Sequence, residues 1–229
     1  MDDQQEIGTT IHTESKWLYV DSGRKMTDLL IAEKLFILTI DDERGEMPAS
    51  VIAALRFGLA GALLAELTLA NKFQLNEGRL LLSDPIVTHD GLLDEIMGMV
   101  ALEQKPRKLI YWIEVIGRKQ TVREVAERLA GRNVISIEKE RYPWISPSIA
   151  YPQVDGSAKY CVKQRLREII LAKEKPEAAD TILFGLLRGC QLLRLIFTSD
   201  ERRSASKKVE ALAKGEIFGK SVAKLLEKR

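Results

Sequence analysis

Histidine and neighbouring carboxylates are the side chains of this chain that could perform acid–base chemistry. His89 directly precedes Asp90, and a carboxylate in that place can orient an imidazole as a general base. The pair also stands just before an apolar run, where an aspartate typically caps a helix, so we interpret His89 as a loop residue. Asp94 and Glu95 follow within that run, and adjacent residues of a helix do not face each other. This segment therefore predicts a capped helix and no catalytic site.

Thiols and metal ligands are equally sparse. The chain has two cysteines, Cys161 and Cys190, and two histidines, which makes a zinc site improbable. Both cysteines lie inside helix-like patterns and are interpreted as buried thiols in a reducing compartment. Phosphate-binding glycine loops and a nucleophile elbow are missing from the sequence. We predict no cofactor, no metal and no enzyme activity, although an enzyme with an unrecognised site stays open.

Charge is distributed unevenly along the chain, although the formal net charge is only +2. Residues 1–46 carry 11 acids and 5 bases, whereas residues 105–141 carry 10 bases and 5 acids. Residues 200–229 carry 9 bases and 5 acids. A basic side of this kind can face the phosphates of a lipid surface or of a nucleic acid. No apolar run follows a basic N-terminus, so we predict a cytoplasmic protein without a secretory signal.

A single helical domain is predicted to position these charges. Residues 1–25 are polar and acidic and read as a flexible arm, and residues 26–229 form the domain. Its most apolar stretch, residues 48–71, is apolar on every side, as in a central core helix or a membrane span. Arg56 and Glu66 lie inside it, and each would cost about 2.5–3.5 kcal/mol at a bilayer centre. We therefore predict a core helix in which Glu66 has a hydrogen-bonded partner.

The remaining elements follow from capping and turn signals. Residues 72–75 and 79–82 predict a hairpin with a three-residue loop, and residues 134–138 and 144–151 predict a second hairpin. Thr121 with Glu124 reads as a capping box that opens a helix ending at Gly131. Further helices are predicted from Ser157, over 176–196, and twice after residue 205. The fold class is mainly α, a multi-helix bundle around a hydrophobic central helix with two small β-hairpins.

The helix near residue 121 and the hairpin after it also allow a second interpretation, a winged-helix nucleic-acid-binding module. The surrounding segment is the basic one, which favours phosphate binding. Glu138 and Glu140 would lie in the wing, however, where phosphate would repel them. Nucleic acid is therefore the less favoured partner.

Several segments, in this order along the chain, resemble the Golgi phosphoprotein 3 family. The resemblance covers about residues 26–226, and the segments together are more specific than any one of them. The segments are LIAEKLFIL at 30–38, GLAG at 58–61, LAEL at 64–67, FQL at 73–75, LLDE at 92–95, WIE at 112–114, ERLA at 127–130 and KQRL at 163–166.

The resemblance implies a helical domain that binds membranes peripherally through phosphatidylinositol 4-phosphate and has no enzymatic activity. It also implies a headgroup pocket in which arginines hold phosphate beside a tryptophan that enters the bilayer. The tryptophan position falls at Val51 and one arginine position at Ala60, so the chain resembles a divergent member of the family. The candidate headgroup-binding residues are Lys119, Arg123, Arg56 and Arg165. The expected partner is an anionic phospholipid or phosphoinositide surface, and no protein client is identified.

Overall fold

The structure, a computed structural model, describes residues 29–140, 148–154 and 156–228. The predicted arm at residues 1–25 lies outside these ranges. Nine α-helices and five short strands are found in the described part. The helices are α1 (Ile31–Thr39), α2 (Ala49–Leu69), α3 (Gly91–Ala101), α4 (Leu109–Ile116), α5 (Lys119–Gly131), α6 (Ser157–Arg167), α7 (Ala178–Gly189), α8 (Ser199–Leu212) and α9 (Phe218–Leu226). The strands are β1 (Phe73–Asn76), β2 (Arg79–Leu82), β3 (Arg107–Lys108), β4 (Glu138–Glu140) and β5 (Ser148–Ala150). The predicted mainly α fold class is confirmed.

Helix α2 is the centre of the core, as predicted. It packs against α1, α4, α5, α7 and α9, and its buried residues include Leu55, Leu63 and Leu64. Within the described residues it is the one helix long and apolar enough to cross a membrane, and 72% of its most apolar stretch is buried. Glu66 has the partner that its burial requires, because its Oε2 accepts a hydrogen bond of 2.9 Å from the backbone N–H of Ile31. Burial nevertheless raises the pKa of Glu66 above its usual range.

Glycines allow α7 and α9 to approach each other at backbone distance. A Cβ atom at Gly189 would lie 2.3 Å from the carbonyl oxygen of Gly219, and one at Gly219 would lie 2.0 Å from that of Gly185. Only glycine fits these positions without a shift of the backbone. The close crossing seats α9 against α2 as well, and Val222 of α9 is completely buried.

The first predicted hairpin is present, but its loop is shorter than predicted. Strands β1 and β2 pair in antiparallel register from Phe73 with Leu82 to Asn76 with Arg79, which leaves a loop of two residues. Glu77 and Gly78 both have positive φ angles, 49° and 72°. That combination is the two-residue turn whose twist matches the paired strands. Strand β3 adds to β2 and makes this a three-stranded sheet.

The second predicted hairpin is confirmed only in part. Strands β4 and β5 pair from Glu138 with Ala150 to Glu140 with Ser148. Residues 134–137 were predicted as strand, but they contribute only an isolated bridge from Ile135 to Gln153. The predicted turn at residues 139–143 was partly wrong, because Lys139 and Glu140 belong to β4, and residues 141–147 lie outside the described ranges.

Two predicted helix boundaries were wrong. Helix α5 begins at Lys119, before the predicted capping box, and Thr121 is buried inside it with its hydroxyl donating to the carbonyl of Ile116. Helix α5 ends at Gly131, as predicted, and Asn133, with a φ of 56°, turns the chain after it. The helix predicted over 176–196 ends at Gly189, because Gln191 has a φ of 60° and a short 3-10 turn follows at Leu193–Leu195.

A bidentate ion pair joins α6 to the beginning of α8. Arg167 donates from Nη1 and Nη2 to the two carboxylate oxygens of Glu201 at 2.8 and 2.6 Å. These hydrogen bonds, followed by one from the backbone N–H of Thr198, lower the pKa of Glu201 from 4.5 to about 2. The pair therefore holds α8 in place only while Glu201 is ionised.

Acid should weaken this pair in a defined pH window. Because the folded pKa of Glu201 lies below the unfolded value, its contribution is fully present above pH 4.5 and is lost as the pH falls towards about 2. Glu201→Gln should lower the melting temperature at pH 6, and that difference should shrink at pH 3. Thermal melts at both pH values measure this. Glu210→Gln removes the same charge from the exposed Arg188–Glu210 pair and is the control. A pH-independent effect of Glu201→Gln would contradict the assignment.

Candidate lipid-binding surface

The junction between α4 and α5 presents unpaired positive charge. Arg118 and Lys119 are exposed, and neither side chain makes a hydrogen bond or ion pair with any described residue. Arg123 lies one turn further along α5, on the side of Lys119. Its Nε is 3.1 Å from Glu127, but both side chains of that pair are more than half exposed. A surface pair of this kind contributes little, so Arg123 can exchange Glu127 for another anion.

Arg56 approaches the same junction from α2. Its guanidinium carbon lies 4.4 Å from the centre of the Phe57 ring, in a cation–π contact. The Phe57 ring also packs against Gly117, where an added Cβ would lie only 2.5 Å from the ring. The Nε of Arg56 is buried and finds no hydrogen-bond acceptor within the described ranges. We call Arg56, Arg118, Lys119 and Arg123 the junction cations.

Arg165, the fourth predicted site residue, is not brought to the junction surface. Its guanidinium bonds Glu174 at 2.8 Å, Asp180 at 3.1 Å and the carbonyl of Lys175 at 3.0 Å. Only 18% of the side chain is exposed. Arg165 therefore fastens the end of α6 to the beginning of α7, and its donors are occupied.

Val51 and Ala60 both lie in the core. Val51 is 3% exposed and Ala60 is fully buried, on the central helix. Neither side chain can reach a headgroup in this conformation. An arginine at position 60 would be buried without a partner, which is costly.

Arg128 and Arg132 belong to the basic segment, yet they serve a buried carboxylate that the sequence analysis missed. Glu33 is fully buried in α1 and accepts from Arg128 Nε at 3.1 Å and from Arg132 Nη1 at 3.2 Å. It also accepts from the backbone N–H of Leu30 at 2.7 Å. Arg128 reaches Asp90 with its Nη1 as well. The signal in the sequence was a lone glutamate inside the apolar run 30–38, which requires a cationic partner once it is buried.

Residues that could act in acid–base or thiol chemistry are engaged elsewhere or isolated. Asp90 accepts from the backbone N–H groups of Leu92 and Leu93 at 3.2 Å, which confirms the predicted cap of α3. His89 is exposed, with a φ of 64°. Burial raises the pKa of Cys190 to about 12, so its thiol stays protonated. No group of three or more metal-ligating side chains occurs among the residues that the structure describes.

The network around Glu33 accounts for several of the segments that carry the family resemblance. Segment 30–38 contains Glu33, segment 64–67 contains Glu66, and segment 127–130 contains Arg128. Together these side chains hold the beginning of α1 against α2 and α5. The resemblance thus rests on residues that build the fold.

Comparison with known proteins agrees with this interpretation. The family profile described as Golgi phosphoprotein 3 (GPP34) matches residues 31–229. A search among curated proteins finds no match for the chain. The matched residues run from the first residue of α1 through α9, nearly the whole described chain. The chain therefore belongs to the Golgi phosphoprotein 3 (GPP34) family.

Proposed function

We propose that this protein is a non-catalytic, cytoplasmic, peripheral membrane protein that binds anionic lipid headgroups, phosphatidylinositol 4-phosphate among them, through the junction cations. Membership of the family supports a function like that of Golgi phosphoprotein 3. The single observation that carries the headgroup site is the exposed positive charge of Arg118 and Lys119, which no described residue pairs. The phosphates of anionic lipids can pair with exposed cations of this kind at a membrane surface.

The surroundings of the junction set the expected strength of binding. Each base close to an anionic surface contributes about 1 kcal/mol. Arg128 and Arg132 add little, because Glu33 and Asp90 neutralise them. Glu95 and Glu124 line a small groove beside Arg118 and oppose an anionic ligand. The attraction is therefore modest and falls as salt screens it.

Vesicle co-sedimentation tests the proposal directly. Lys119→Glu with Arg123→Glu should release the protein from vesicles that contain anionic phospholipid, and the melting temperature should stay nearly unchanged because both side chains are exposed. Arg203→Glu with Lys207→Glu changes the net charge equally at exposed positions of α8 and is the control. Binding that survives the junction variant, or a wild type that never binds vesicles at low salt, would refute the proposal. A duplex-DNA arm tests the winged-helix alternative, which predicts DNA binding in place of vesicle binding.

We expect little discrimination between lipids of equal charge. Val51 and Ala60 are buried, so the described surface lacks both the apolar anchor and one arginine fork that the family resemblance implies. Unpaired cations attract any anionic lipid. Selective binding of one phosphate position requires an arginine guanidinium that is held in a fixed orientation. Vesicles matched in surface charge, with and without phosphatidylinositol 4-phosphate, measure this. A strong preference for the 4-phosphate would show that Arg56 provides the missing geometry, and Arg56→Met should then abolish that preference.

A further inference from the structure

A second basic region of the helical domain lies on α6. A cleft of about 430 Å³ opens between α6, the 3-10 turn at Leu193–Leu195 and the beginning of α8. We call it the α6–α8 cleft. Three of the residues that line it are cations and none is a carboxylate. Its polar lining consists of Tyr160, Lys163, Gln164, Arg167, Arg194 and Thr198.

Two of the three cations, Lys163 and Arg194, form no ion pair with a described carboxylate. Arg167 donates two hydrogen bonds to Glu201 and one of 3.0 Å to the carbonyl of Ile196. Its side chain is therefore held in one position in the lining of the cleft. Among the residues that the structure describes, Arg194 donates only to the carbonyl of Gln191, at 2.8 Å. Lys163 makes no hydrogen bond or ion pair with any residue in the described ranges. Asp42 lies within electrostatic range of Lys163 but is itself bound by Lys159, so the cleft keeps a net positive charge.

The positions of these residues on α6 show that they share one face. Tyr160, Lys163, Gln164 and Arg167 are spaced by three or four residues, which places them side by side along the helix. The opposite face is internal, since Leu166 is 1% exposed and Arg165 bonds within the protein. Of the segment KQRL at 163–166, the last two residues thus build the fold, whereas Lys163 and Gln164 line the cleft. Tyr160 is 63% exposed at its edge and offers an aromatic face.

We propose that the α6–α8 cleft binds a phosphorylated small molecule, with its phosphate between Lys163 and Arg194 and a ring of the ligand against Tyr160. Arginine pairs with phosphate through parallel hydrogen bonds, and lysine adds a mobile positive charge. The volume of the cleft lies within the range of about 300–1,000 Å³ that small-molecule sites occupy. The site uses elements that the junction cations do not, so it does not rest on the proposed membrane function.

Calorimetric titration at low ionic strength with ADP and with inorganic pyrophosphate tests the site. Lys163→Glu with Arg194→Glu should weaken binding of both probes at least about tenfold. Tyr160→Ala should weaken ADP about fivefold and leave pyrophosphate nearly unchanged, because only ADP has a ring to stack. Arg203→Glu with Lys207→Glu, outside the cleft, is the matched control and should bind both probes as the wild type does. Thermal melts check that each variant is folded.

The same variants show whether the phosphate comes from a soluble molecule or a lipid. If the cleft variant loses ADP and also loses vesicles of phosphatidylcholine with phosphatidylglycerol, the natural source is a headgroup. If it loses ADP and keeps the vesicles, the source is soluble. The proposal is overturned if neither probe binds the wild type, if the cleft and control variants weaken binding equally, or if Tyr160→Ala affects both probes alike.

Discussion

Arg128→Met should destabilise the protein by about 3–5 kcal/mol, because it removes one partner of a buried ion pair. Glu33 is fully buried and would keep only Arg132 and the backbone N–H of Leu30. Asp90 would lose its arginine at the same time. Urea unfolding followed by circular dichroism measures the free energy of unfolding. Methionine keeps an unbranched apolar chain in place of the aliphatic part of arginine, so the loss reports charge and hydrogen bonding more than packing.

Arg123→Met is the control for this prediction, since it removes an arginine from the exposed side of the same helix. Its pair with Glu127 is a surface pair, and the expected loss is below about 1 kcal/mol. In the background of Glu33→Leu, Arg128→Met should cost less than it does in the wild type, because no buried carboxylate is left unpaired. Equal losses from Arg128→Met and Arg123→Met would show that the Glu33 network is not a stabilising element.

Leu63→Ala should cost about 2–5 kcal/mol, the usual effect of truncating a fully buried leucine. Leu63 is 0% exposed in α2, which packs against α1, α3, α4, α5, α7 and α9, so the surrounding structure can collapse little into the space left behind. The same denaturant titration measures this loss.

Leu69→Ala is the matched control within the same helix, since Leu69 is its last residue and is 41% exposed. Its loss should stay below about 1 kcal/mol. If both substitutions lowered the free energy of unfolding by less than about 1 kcal/mol, α2 would not be the central core helix.

Burial and local turns could be predicted from the sequence because they depend on neighbouring residues. The uninterrupted apolar character of residues 48–71 predicted the core helix, and Asp90 before an apolar run predicted the cap of α3. The charged residues within α2 also predicted that Glu66 needs a partner. These features require no knowledge of which elements meet in space.

Contacts between distant residues could not be predicted in this way. Glu33 and Arg128 are 95 positions apart, and no local pattern joins them. For the same reason the basic segment was expected to offer Arg128 and Arg132 to a ligand, and Arg165 appeared free. The capping-box prediction at Thr121 failed because tertiary packing buries that residue inside α5. The sequence therefore overestimates the positive charge available to a ligand wherever an arginine pairs with a buried carboxylate.

The glycine crossing of α7 and α9 has a consequence for biosynthesis. The ribosome releases α2 early and α9 more than 140 residues later, yet Val222 of α9 fills the space against α2 and α7. The nascent chain therefore cannot complete its core before α9 emerges, and it exposes apolar surface of α2 until then. Exposed surface of this kind is what chaperones recognise and what drives aggregation. A ribosome that stalls before residue 218 would hold an unfinished protein that depends on such protection.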